Sequence, residues 1–97
     1  MVPGRQSGPH VNEFVFDDDN EEKFAVHGVT PRQVHQVLQN DWIIFRNRRA
    51  RRAAYLLIGT DSSGRCIAVP IERTHNQGLW RPVTAWYCKP SEESRLR

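Results

Sequence analysis

The sequence predicts an α+β domain of two layers, with two helices near the N-terminus packed on an antiparallel sheet. Three observations predict it. Two helix-start signatures lie close together, at Asp17-Asp18-Asp19-Asn20 and at Thr30-Pro31-Arg32-Gln33. From Trp42 the apolar period changes from helical to strand-like. Turn chemistry then divides the remaining apolar runs. A chain of 97 residues has room for one domain and one core.

Residues 1–12 are expected to form a flexible tail and residues 13–97 the single domain. The opening stretch is polar, with two Pro and two Gly in its first ten residues, and lacks the apolar run of a signal peptide. Glu13-Phe14-Val15-Phe16 reads as a short strand of aromatic and β-branched residues. It stops at the Asp cluster, whose carboxylates suit the free N–H groups and positive dipole of a helix start. That helix should run to about His27, with Gly28 as the left-handed residue beyond it.

Thr30 is then an N-cap, Pro31 fits the first helical position, and Gln33 completes a capping box. Val29 is placed to staple onto Val34, and Val34, Val37 and Leu38 form the stripe of a helix ending near Asn40. Trp42–Phe45, Ala54–Ile58 and Cys66–Ile71 read as strands, and Asp61-Ser62-Ser63-Gly64 should pair the last two as a hairpin. Thr74 to Gly78 is a polar loop. Leu79 to Tyr87 reads as one final strand, in which Pro82 argues for an edge position or a bulge. Ser91 to Leu96 has the makings of a short terminal helix.

Charge is unevenly spread. Residues 13–23 carry six acids against Lys23, whereas residues 24–97 carry twelve Lys or Arg against five acids. Of the fourteen cations, all but Lys23 and Lys89 are Arg, the side chain suited to bidentate phosphate contact and to stacking on bases. A basic body points to a polyanionic partner. No apolar run reaches the length of a membrane span. Cys66 and Cys88 are expected as reduced thiols of a cytoplasmic protein. Neither the cysteines nor the four histidines have metal-ligand spacing, so no metal or other cofactor is expected.

The string Lys23-Phe24-Ala25-Val26-His27-Gly28-Val29-Thr30, after a Phe-x-Phe-Asp opening, resembles the start of BrnT-type toxins. The centre from Ile58-Gly59-Thr60-Asp61 through Gly64-Arg65-Cys66-Ile67-Ala68-Val69 is similar to that family's second block. Arg81 to Tyr87 stands where the family has its last strand. The resemblance spans about residues 14–95. It implies a RelE-like ribonuclease fold, metal-independent RNA cleavage, and a cognate antitoxin, with a higher-order toxin–antitoxin complex in prospect. Two positions depart from the pattern: Val26 precedes His27 where a Lys is usual, and Thr84-Ala85-Trp86 replaces Ser-Ala-Arg, which removes a cation.

Metal-free RNA cleavage needs a base for the 2′-OH, cations for the phosphorane and an acid for the leaving oxygen. His27 titrates near neutrality and suits base or acid; as a plain cation it would also suit a helix C-terminus. Glu72 beside Arg73 and Arg81 would combine a base with two guanidiniums; otherwise it forms a surface ion pair. His27, Glu72, Arg73 and Arg81 are therefore the candidate catalytic residues. If alternation holds, Arg81, Val83, Ala85 and Tyr87 share a face opposite Trp80, Thr84 and Trp86. Lys23, Arg65, Tyr87 and the dense run Arg46, Arg48, Arg49, Arg51 and Arg52 are candidate RNA contacts, the run tracking backbone without reading sequence. His35 and His75 are expected to be incidental and the tryptophans to pack in the core. Two other functions fit the same residues: a non-catalytic module that binds RNA or an antitoxin, and a protein-interaction domain whose Arg loop docks an acidic partner.

Overall fold

Thr30 and Gln33 close the expected capping box in the computed structural model, which describes residues 9–47 and 53–96. Thr30 Oγ1 accepts from the Gln33 backbone N–H at 3.1 Å, and Gln33 Oε1 accepts from the Thr30 N–H at 2.9 Å. Helix α2 runs from Pro31 to Gln39 and buries Val34 and Val37. Val29, just outside the cap, is buried in the same core as Val34. Helix α1, Asp18–Val26, starts from a second capping box in which Asp17 and Asn20 bond each other's backbone N–H. It buries only Asn20 and Phe24. Gly28, with φ of 74°, turns the chain between the helices.

The domain is α+β. Strand β1 (Glu13–Phe14) is followed by α1 and α2, then by β2 (Trp42–Arg46), β3 (Tyr55–Thr60), β4 (Cys66–Arg73), β5 (Leu79–Pro82), β6 (Trp86–Tyr87) and helix α3 (Pro90–Leu96). The strands lie in the order β1-β5-β4-β3-β2, with β6 also on β4. The sheet is mixed, not wholly antiparallel as expected, because β1 pairs with β5 in parallel. The β3–β4 hairpin forms where the turn residues place it. Asp61 Oδ1 accepts from the backbone N–H groups of Ser63 and Arg65, both at 2.9 Å.

The expected last strand is two strands. Between the partners Ile71↔Pro82 and Ala68↔Trp86, β4 contributes two residues and the other strand three. This extra residue is a bulge, one of the two options Pro82 suggested. It also overturns the simple alternation expected from Arg81 to Tyr87. Ala85 is buried in the same core as Trp80, while Trp86 packs against a different cluster.

Alternation along β3 and β4 separates two apolar clusters. Leu57, Ile67, Val69 and Ile71 face α1 and α2 with Phe24, Val34 and Trp80. Ile58, Cys66 and Ala68 face the other way, against Phe45, Trp86 and Leu96 of α3. A helix therefore covers part of the second face, so the expected two layers become three. Two described residues from the expected tail pack on the domain: Val11 is buried in the first cluster and the Asn12 N–H donates to Gly78 O at 2.8 Å.

The cysteines are bonded to each other, not reduced as expected. Cys66 and Cys88 form a disulfide with a Cα–Cα distance of 5.3 Å. The β4–β6 pairing makes them neighbours, and the Cys88 N–H donates to Cys66 O at 3.0 Å. A bonded pair is more typical of oxidising compartments than of a reducing cytosol. Among the described residues no helix is long and apolar enough to cross a membrane.

Candidate functional site

Arg81 lies on β5 opposite Glu72 of β4, so their side chains share a face. Its guanidinium is taken up by carboxylates. Nε and NH2 donate to the two oxygens of Asp17 at 2.7 and 3.0 Å, NH1 to Glu72 Oε2 at 2.8 Å, and NH2 also to Asp19 Oδ2 at 3.1 Å. Three carboxylates around one guanidinium leave a net negative cluster, which repels phosphate. The Arg81 hydrogen bonds pull the Asp17 carboxyl down to about 2, with help from the capping N–H of Asn20. The same bond to Asp17 raises Arg81 further against its partial burial. Lys23, an expected RNA contact, joins this network through Asp19 at 3.5 Å.

Arg73 is not in that cluster. It is the partner of Trp80, one residue along from Glu72, and strand alternation sends it to the opposite face. His27 stands apart from both, at the C-cap of α1, with its ring 6.2 Å from that of Trp86. The four candidate catalytic residues thus divide among three places, and only Glu72 and Arg81 are brought together.

Tyr87 and Arg65 do meet, at the end of the sheet near the β3–β4 turn. The Tyr87 hydroxyl accepts from Gln33 Nε2 at 3.0 Å and from Arg65 NH1 at 3.2 Å, and donates to Gly28 O at 3.2 Å. The Gln33 bond, outweighing partial burial, draws the phenol below its usual value, and Arg65 adds to the effect. Gln33 Nε2 also donates to Asp61 Oδ2 at 3.0 Å. Burial alone would raise the Asp61 carboxyl, but the bonds from Gln33, Arg65 N–H and Ser63 N–H hold it below its usual value. This group fastens α2 to the hairpin and β6, and the polar atoms that hold it together already have their partners.

The opposite end of the sheet is different. Arg46 pairs with Tyr55 across β2 and β3, with its guanidinium carbon 6.0 Å from the ring centroid. Arg73 lies 5.8 Å from the Tyr55 ring and 5.2 Å from that of Trp80. The two rings meet edge to face at 5.6 Å. A cation–aromatic row, Arg46, Tyr55, Arg73 and Trp80, therefore crosses four strands on one face. Both arginines are exposed. No carboxylate among the described residues pairs with either of them. A guanidinium over a ring at this distance keeps its N–H donors for another group.

Tyr55 and Trp80 were missed as site residues. Their signal was available only through cross-strand register, since the members of the row come from four separate runs. Arg48, Arg49, Arg51 and Arg52 lie outside the described residues. Set against protein-family models, curated proteins and solved structures, the chain matches none of them.

Proposed function

We propose that this chain is a non-catalytic RNA-binding module with a BrnT-like fold, which holds backbone phosphates on Arg46 and Arg73. The observation that carries this is the pair of exposed arginines lying over Tyr55 and Trp80 at 5.2 to 6.0 Å, with no carboxylate partner among the described residues. Lying over these rings at cation–π distance, each guanidinium spends no N–H donor on a carboxylate and keeps its donors for a phosphate. In the sequence, Arg48, Arg49, Arg51 and Arg52 fall between β2 and β3 and add to the positive charge of the chain.

Binding is preferred to cleavage because general base and cations do not converge. His27 lies beside Trp86, Glu72 is bonded to Arg81, and Arg73 faces away from both. The ribonuclease-toxin reading, with an antitoxin partner in the cytoplasm, draws its support from the motifs and from the close Glu72–Arg81 pair at 2.8 Å. Incubating the protein with labelled RNA in EDTA separates the two. Salt-sensitive retention of intact RNA is the expected result. Fragmentation that disappears in Glu72→Gln would replace the binding reading with the enzymatic one.

A further inference from the structure

Beside Arg73 the surface opens into a groove of about 230 Å³, lined by Pro9, His10, Asn76, Gln77 and Trp80 among others. The Trp80 indole Nε1 donates to His10 O at 3.0 Å, which fastens the N-terminal segment as one wall. The other wall is the loop between β4 and β5, whose backbone bonds are largely internal. The Asn76 N–H donates to Thr74 Oγ1 at 3.1 Å, and the Leu79 N–H donates to Asn76 O at 3.2 Å. The side-chain amides of Asn76 and Gln77 are thereby left exposed, with no hydrogen-bond partner among the described residues.

The groove therefore combines an aromatic and prolyl lining, two exposed amides and the Arg73 guanidinium, which has no carboxylate partner among the described residues. An amide offers a donor and an acceptor side by side, which matches the edge of a nucleobase. Arginine matches a phosphate. The volume is below the range for drug-sized ligands, so it suits one planar base and not a longer ligand. A base can enter such a groove only if it is unpaired, because an A-form duplex keeps its bases stacked inside.

We propose that this groove is a subsite for one unpaired nucleotide, with the base between His10 and the Asn76-Gln77 loop and its phosphate on Arg73. The RNA recognised is then single-stranded. This inference rests on the RNA-binding reading above, and its test must be able to fail separately.

The measurement is fluorescence anisotropy of the full chain with a labelled single strand and with a hairpin duplex of equal phosphate count. The single strand should bind about tenfold more tightly, the scale of one base contact. Asn76→Ala/Gln77→Ala should abolish that preference while leaving the salt dependence unchanged, since the phosphate contacts remain. Both residues are exposed, so the variant keeps its fold. Equal affinity for the two RNAs with strong salt dependence would overturn the subsite and leave RNA binding standing, as would a preference that persists in the variant. Absence of salt-dependent binding to either RNA would remove the RNA-binding reading and the subsite with it.

Discussion

Arg81 and Asp17 form a two-pronged ion pair between residues 64 positions apart, with donor–acceptor distances of 2.7 and 3.0 Å. Asp17 is also the N-cap of α1, so the pair ties the start of that helix to β5. Arg81→Ala is expected to cost about 2–3 kcal/mol, the scale of charge-assisted hydrogen bonds lost from a mostly covered group. Urea denaturation should show a lower midpoint at unchanged slope. A stability equal to that of the native chain would show that the three carboxylates do not depend on Arg81.

The same pair gives a pH dependence with a definite sign. Asp17 ionises at about 2 in the folded chain, below its ordinary 3.8. Its contribution to stability is therefore present above about pH 4 and is lost as pH falls through about 2. Asp17 is 40% exposed, so solvent screening trims the energy without changing the direction. NMR titration of the Asp17 carboxyl should place it near 2, and higher in Arg81→Ala, where only the capping N–H groups still lower it. An ordinary value in the native chain would contradict the ion pair.

Asn20 is fully buried, and its Nδ2 donates to Val15 O at 3.0 Å and Pro82 O at 2.9 Å. Its Oδ1 meanwhile accepts from the Asp17 N–H. One side chain thus closes the cap of α1 and holds the bulged strand. Asn20→Ala strands buried carbonyls and is expected to cost about 3 kcal/mol. For a domain of this size that lowers Tm by roughly 12–24 °C, measurable by circular dichroism. A shift of only a few degrees would contradict the role.

How far the sequence could be read follows from the range of each interaction. The caps at Asp17 and Thr30 and the turn at Asp61 are set by residues within four positions, and all three formed as expected. The parallel β1–β5 pairing, the bulge after Pro82 and the Cys66–Cys88 bond depend on partners far along the chain. No local pattern specifies the pairing or the bond, and Pro82 suggested a bulge only as one of two options. The candidate site shows the same division. Glu72, Arg73 and Arg81 were named from their proximity in sequence and loop position. Opposite faces of β4 separate Glu72 from Arg73, and the bulge that moves Ala85 to the Trp80 side could not be counted in advance. Arg46 and Arg73 were recognised as cations, whereas the rings they lie over became visible only once register placed them.

The disulfide closes a stretch with a sequence separation of 22 and joins β4 to the residue that follows the two-residue strand β6. Constraint of the unfolded chain by a loop of this length stabilises by about 3 kcal/mol in the chain-entropy model. Reductant should lower the urea midpoint accordingly, and a thiol assay on the unfolded, unreduced chain should find no free thiol from this pair. Two free thiols, or insensitivity to reductant, would contradict the pairing.

The central claim is that Arg46 and Arg73 hold RNA phosphates, and the salt dependence of affinity tests it most directly. Binding of a labelled single strand should be measured from about 50 to about 200 mM salt for the native chain and for Arg46→Ala/Arg73→Ala. The variant should bind more weakly, and its slope of log affinity against log salt should be shallower by about 1.4, or about 0.7 for each lost contact on a single strand. An unchanged slope and affinity in a folded variant would contradict the claim.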